Sequence, residues 1–187
     1  MVEASQKESR LAIDVGAGFG ELFINRAKLE PEKRFIIIEP LGWPDPSDRE
    51  IPKNLTWIKG RLTEKESLPL QDASVDEVNF NFSISTMCVD HQGFDQEPKE
   101  YLQVLLKEPL RILKNGGQLI IREEAGFCQE IIKPSLTEMG MVFEETAVEE
   151  EDLSLTGQES LTDYYFNPEK NHRSQPRKIV IIKTMAK

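Results

Sequence analysis

Apolar residues in this chain come in short solid blocks separated by polar stretches of helical rhythm. LAIDV at 11–15 has strand composition, and FIII at 35–38 is a continuous apolar run, as a parallel strand buried on both faces requires. Between them Glu21–Leu29 places Leu22, Phe23, Arg26 and Ala27 at helical spacing, so the first half opens as strand, helix, strand, with Glu39 closing the second strand. Residues 40–54 carry Pro40, Pro44, Pro46 and Pro52 and predict an irregular crossover. Leu55–Lys59 predicts a third strand and Asp76–Phe82 a fourth, rising out of the turn-like LPLQDAS. Glu97–Leu113 stacks Leu102, Leu105, Leu106, Leu110 and Leu113 on one helical face, bends at Pro109, and stops at Asn115-Gly116-Gly117. Gln118–Ile121 predicts a fifth strand, Cys128–Met139 a helix closed by Gly140, Met141–Ala147 a sixth strand and Lys178–Met185 a last one. The acidic stretch Glu144–Ser160 reads as a solvated loop or an extension of the sixth strand. No repeat and no linker interrupts this alternation, which predicts an α/β sheet with helices on both faces, as one domain over 1–187.

Composition narrows the picture. At 187 residues the chain can bury roughly 70% of its unfolded surface without staples. Cys88 and Cys128 are too few for a disulfide framework and read as small core hydrophobes, which places the protein in a reducing cytoplasm. No apolar run reaches the ~20 residues that span a bilayer. A net charge of −10 argues against a large basic surface for nucleic acid.

The first strand runs into LAIDVGAGFG, three glycines in five positions behind an acid. Glycines at a strand-to-helix turn let backbone N–H groups approach a ligand lying near the helix's positive end. A dinucleotide needs G-x-G-x-x-G, whereas the spacing here is Gly16-x-Gly18-x-Gly20 with Asp14 two residues upstream. A carboxylate in that place repels pyrophosphate and suits S-adenosylmethionine, which carries an ammonium and a sulfonium. The stretch Asp14-Val15-Gly16-Ala17-Gly18-Phe19-Gly20 resembles the first motif of the Rossmann-like, class I S-adenosylmethionine-dependent methyltransferases. Further likenesses follow in order: Glu39 at the second strand's end, Leu68-Pro69-Leu70 through Asp76-Glu77-Val78, and Leu113-Lys114-Asn115-Gly116-Gly117-Gln118-Leu119 before the fifth strand. They span Leu11 to Arg122, and KIVIIKTM suits the family's antiparallel last strand.

The resemblance implies a doubly wound, seven-stranded mixed sheet ordered 3-2-1-4-5-7-6 with the last strand antiparallel. It also implies roles in binding S-adenosylmethionine. The backbone of Gly16, Ala17, Gly18 and Gly20 packs against the methionine and ribose, and Asp14 lies near the amino group. Glu39 accepts from both ribose hydroxyls, and Pro40 and Leu41 flank the adenine. Asn81 and Phe82 close the site from the fourth strand. One departure stands out: past the third strand, where the family commonly has an acid for the adenine amino group, this chain reads Gly60-Arg61-Leu62. Arginine has no acceptor. Either Glu64 or Glu66 reaches back, or backbone reads the base with Arg61 stacking on it.

For the chemistry, His91 beside Asp90 is the candidate base past the fourth strand, although neighbours on an extended segment point apart. Glu123 and Glu124 past the fifth strand could anchor a cationic substrate or accept a proton, against the plainer reading of two exposed loop acids, and no ordered ligand set points to a metal. Asn81-Phe82-Ser83-Ile84 is not the Asn-Pro-Pro-Tyr of amino-group methyltransferases, and Cys88 lacks the Pro-Cys of cytosine-ring enzymes. The chain starts close to its first strand, without the family's N-terminal cap helices, so its cleft reads as open and a second copy or a partner protein could complete it. A small molecule is the expected acceptor. Gly18–Pro40 also resembles tRNA guanine-N7 methyltransferases faintly, without their later Asp-Pro-Trp, which keeps RNA as the alternative. A catalytically degenerate cofactor-binding domain working with a partner is a third reading.

Overall fold

Five consecutive buried residues make β1 (Leu11–Val15), and the burial follows from where it lies: β2 (Arg34–Glu39) pairs with it in parallel on one side and β4 (Val75–Asn81) on the other. The computed structural model describes residues 9–18, 20–39, 50–60, 68–90, 98–149 and 175–184. β3 (Leu55–Lys59) pairs outside β2 and β5 (Leu113–Glu123) outside β4, both in parallel. β7 (Arg177–Ile182) then runs antiparallel between β5 and β6 (Phe143–Ala147). The sheet order is β3-β2-β1-β4-β5-β7-β6, as the motifs imply.

Two apolar layers hold the sheet. On one face α1 (Glu21–Leu29) sets Leu22, Phe23, Ile24 and Ala27 onto Ala12, Phe35, Ile37 and Leu55. Phe23 and Phe35 meet edge to face at 5.2 Å, and the Arg26 guanidinium lies over both rings. On the other face α2 (Ile84–Asp90), α3 (Pro98–Leu105) and α4 (Lys107–Ile112) bury Ile84, Leu102, Leu105 and Ile112 against Val78, Phe80, Leu119 and Ile121. A helical run of α5 (Ala125–Phe127), a π turn (Cys128–Ile132) and α6 (Lys133–Glu138) completes this layer. No described helix is long and apolar enough to cross a membrane.

Three departures from the hydrophobic pattern each have a local reason. The helix expected over 97–113 is two helices, because Pro109 cannot donate to the Leu105 carbonyl and its ring crowds it. Pro134 acts likewise on the carbonyl of Glu130, and the helix widens into its π turn just upstream. The fifth strand begins at Leu113 rather than Gln118: Val75 pairs with Leu113 and Glu77 with Gln118, so Lys114–Gly117 bulge out of the ladder. Gly116, at φ +77°, allows the bulge.

The segment after β4 is not extended, as expected of it, but helical, α2. Ile84 and Cys88, four apart, are both buried in the core, and Met87 packs against it.

Candidate functional site

The β1–α1 turn gathers the glycines at the carboxyl edge of the sheet. Gly16, Gly18 and Gly20 have φ of 68°, 55° and 69°, the left-handed region. Gly16 N–H donates to the Ile38 carbonyl at 2.8 Å and Gly20 N–H to the Ala17 carbonyl at 2.9 Å, while Ile24 N–H bonds back to Gly20 and starts the helix. Their surroundings separate the three. A Cβ on Gly20 would stand 2.6 Å from the Trp57 ring and 2.9 Å from Ile37 Cδ1, and one on Gly16 would stand 2.8 Å from Ser83 Cβ. A Cβ on Gly18 would meet nothing within 4 Å. Gly16 and Gly20 thus serve close packing, and Gly18 faces open space where a ligand can approach. Gly20→Ala is expected to cost about 2–4 kcal/mol from left-handed backbone and overpacking together. Gly18→Ala costs only roughly 1 kcal/mol, the backbone share. Urea midpoints of the two variants check this.

Two buried acids lie at the carboxyl ends of neighbouring strands, Asp14 one residue before the end of β1 and Glu39 as the last residue of β2. Glu39, 5% exposed, accepts the Gly18 N–H on Oε2 at 2.9 Å, and its own carbonyl accepts the Gly60 N–H at 3.2 Å. The carboxylate therefore fixes the open glycine and stands beside it. Asp14, 1% exposed, accepts from Asn81 Nδ2 at 2.9 Å. Loss of water around the carboxyl pushes its pKa up to about 7, against the opposing pull of the Asn81 bond and of Arg122 and Arg26.

Behind Asn81 lies a buried polar line. Arg122 Nη1 donates to Asn81 Oδ1 at 3.0 Å and to Asn79 Oδ1 at 3.2 Å. Asn79 Nδ2 donates to Glu77 Oε1 at 2.7 Å, and Glu77 pairs with Arg26 of α1. Strand register explains the line, since Asp14 lies opposite Asn79 and Asn81 opposite Arg122 on one face of the sheet. Phe82 next turns the chain at φ +53°, a costly angle for an aromatic residue, and its N–H bonds the Arg122 carbonyl at 2.8 Å. The turn delivers the Ser83 hydroxyl to the Val15 carbonyl at 2.9 Å, tying β4's exit to the glycine turn.

Of the residues expected at the site, Asp14, Gly16, Ala17, Gly18, Gly20, Glu39, Asn81 and Phe82 come together along this edge. Pro40, Arg61, Leu62 and His91 lie outside the described residues. Asp90 ends a helix, so it does not lie on the extended segment expected there. Glu123 is corrected as well: it ends β5 at 1% exposure and accepts the Ser85 N–H at 3.1 Å and the Glu124 N–H at 3.2 Å. Burial raises its pKa against those two bonds. Its role is to hold the start of α2. Cys88 and Cys128 are free thiols in the core, pushed by burial up to about 11 and about 12. Among the described residues no three His, Cys, Asp or Glu gather as a metal site. Sequence reasoning missed Arg122, although a lone arginine at the end of the apolar run Leu119–Ile121 was a signal for it.

No known family model matches the chain. A tRNA (guanine-N(7)-)-methyltransferase of Limosilactobacillus fermentum (strain NBRC 3956 / LMG 18251) is 26% identical over 148 residues, covering 76% of this chain and 66% of that protein. Among solved structures, the 16S rRNA methyltransferase KamB matches with a TM-score of 0.62 at 13% identity, over 94% of this chain and 88% of that one. A precorrin-6y C5,15-methyltransferase from Geobacter metallireducens GS-15 matches at 0.58 with 16% identity, over 94% and 80%.

Proposed function

We propose, for a chain that has the fold of the Rossmann-like, class I methyltransferases, that it transfers a methyl group from S-adenosylmethionine to a small-molecule acceptor. The observation that carries the reading is the pairing of two buried acids with an open glycine: Glu39 bonded to the Gly18 N–H, and Asp14 one strand away. That donor set suits the proposed cofactor chemically. Asp14 supplies a carboxylate to the ammonium, whose arrival repays its desolvation. Glu39 supplies acceptors to the ribose hydroxyls, and Gly18 lets the backbone come close. When bound, the cofactor supplies a methyl group activated by its sulfonium. The protein then has to orient the acceptor and take up a proton if the acceptor bears one. His91, with Asp90 before it, is the proposed proton acceptor. Pro40, Arg61 and Leu62 complete the proposed adenine surroundings.

The small-molecule acceptor rests on the net charge of −10, which repels a polyanion. RNA is the second reading, favoured by the relative that acts on tRNA guanine and by the rRNA methyltransferase of like fold. Free, buried thiols support a reducing cytoplasm as the setting.

Incubation with methyl-labelled S-adenosylmethionine, a metabolite extract and total RNA tests the proposal. Label in the small-molecule fraction is expected. Label that ribonuclease renders soluble overturns the acceptor class in favour of RNA. Cofactor binding without transfer to either pool favours a domain that needs a partner, and a folded protein that binds no S-adenosylmethionine overturns the reading altogether.

A further inference from the structure

Arg122 is a buried cation two contacts from Asp14, and the proposed chemistry leaves it unused. It is 6% exposed near the end of β5, in a strand whose neighbouring positions Leu119, Ile120 and Ile121 are all buried and apolar. Removing a guanidinium from water is expensive, so its partners need an account. Its Nη1 is shared between two amides, donating to the side-chain oxygens of Asn81 and Asn79. Each asparagine then turns its NH2 to an acid, Asn81 to Asp14 and Asn79 to Glu77.

Donor and acceptor logic makes this arrangement directional. A guanidinium has five N–H donors and no acceptor, so an amide beside it can present only its oxygen. With its oxygen committed to Arg122, Asn81 has only its NH2 left for Asp14. Without Arg122 the Asn81 amide is free to rotate, and its carbonyl can face Asp14, where it repels a carboxylate and accepts a proton from a carboxylic acid. The far arm anchors the cation: Asn79 and Glu77 tie it to Arg26 on α1.

We propose that Arg122 is a positioning residue of the cofactor site, locking the Asn81 amide so that Asp14 is presented as an anion to the cofactor's ammonium. The proposal rests on the methyltransferase reading for its purpose, while its physical content can be tested without the cofactor. Other charged groups bear on Asp14: Arg26 of α1 favours its anion, and Glu77 of β4 opposes it. Glu39 ends β2 next to β1, and Lys178 of β7 lies opposite Arg122 in register. Lys178 therefore serves as a control, a cation on the same face placed one strand farther from Asn81.

The experiment follows the Asp14 carboxyl by carbon NMR across pH in the ligand-free protein. The variants are Arg122→Met, Arg122→Lys, Asn81→Ala and Lys178→Met. Methionine is chosen because apolar replacement of a buried ion is often tolerated. Arg122→Met and Asn81→Ala are each expected to raise the Asp14 midpoint by about one pH unit, Arg122→Lys to restore most of the difference, and Lys178→Met to change it by less than roughly 0.3. If one of the first two does not fold, the other breaks the same contact from the opposite side and decides. Calorimetry with S-adenosylmethionine from about pH 6 to pH 9 should show Arg122→Met weakened about fivefold near pH 7 and within about twofold of the parent at the alkaline end. An unchanged midpoint overturns the proposal, as does a loss of affinity equal at every pH or a Lys178→Met change as large as that of Arg122→Met. A parent protein that binds no S-adenosylmethionine refutes the methyltransferase reading, and the NMR midpoints still decide what Arg122 does to Asp14.

Discussion

Glu39→Gln is expected to weaken S-adenosylmethionine binding by about 100-fold and to leave the fold in place. The substitution keeps an oxygen for the Gly18 N–H, which Glu39 accepts at 2.9 Å, so the glycine turn retains its anchor. What is lost is charge and acceptor capacity: an ionised carboxyl offers two oxygens as acceptors, while glutamine offers one and turns an NH2 toward hydroxyls it cannot serve as well. Hydrogen bonds to a charged group contribute roughly 1.5–3 kcal/mol each, so losing about 3 kcal/mol over the two proposed ribose contacts is a conservative expectation, equal to about 100-fold. Calorimetric titration gives the affinity, and a thermal melt gives the fold. Unchanged affinity removes Glu39 from the cofactor site. A large drop in melting temperature makes it a structural clasp instead.

Asp14→Asn should strengthen the fold and remove the binding. Asp14 has an ordinary pKa of 3.8 and a folded one of about 7. Between those values the folded chain holds a proton that the unfolded chain has lost. The group therefore disturbs stability least below about pH 4, erodes it through the interval, and reaches its full cost above about pH 7. Three pH units correspond to roughly 4 kcal/mol as an upper figure. Asparagine carries no charge to desolvate and still presents an oxygen to the Asn81 NH2. The variant is thus expected to match the parent in urea near pH 4 and to exceed it by up to about 4 kcal/mol near pH 8, while its affinity for S-adenosylmethionine falls at least about tenfold at pH 8. A stability difference that does not depend on pH would show that Asp14 is not the titrating group. Such a trade, stability surrendered for a buried charge that only a ligand can satisfy, is the signature of a functional acid.

The parallel half of the sheet was legible because its physics is local. LAIDV and the apolar run before Glu39 are strands buried on both faces, and Glu21–Leu29 has a clear helical stripe, so β1 and α1 match the expected bounds residue for residue. The glycine turn and the acids at the carboxyl ends of β1 and β2 were likewise readable, since the charge and the backbone freedom are written in adjacent residues. What escaped depends on distant partners. Ile84–Asp90 contains Ile, Thr and Val, weak helix formers, and is helical because Ile84 and Cys88 find the core and the Glu123 carboxyl receives the Ser85 N–H. Lys114–Gly117 looked like the end of a helix because bulges and stops use the same glycines. Glu123 looked exposed because no pattern in one strand shows that another element caps it. Arg122 is the sharpest case: its significance lies in two asparagines some forty positions earlier.

The place of β7 has a consequence for how the protein is born. It is made after β6 yet inserts between β5 and β6, so neither of those strands has its final neighbour while the ribosome is still translating the intervening stretch. About 30 residues separate Ala147 from Arg177, roughly 2–6 s of synthesis. Throughout that interval the nascent chain presents the bare edge of β5, with its unpaired backbone donors and acceptors, beside an unplaced hairpin partner. Stalling, early termination or proteolysis just ahead of Arg177 would leave a sheet that is nearly built and adhesive. Abundance in the cell should accordingly be more sensitive to codon choice and chaperone supply over this stretch than over any comparable length of the chain before it.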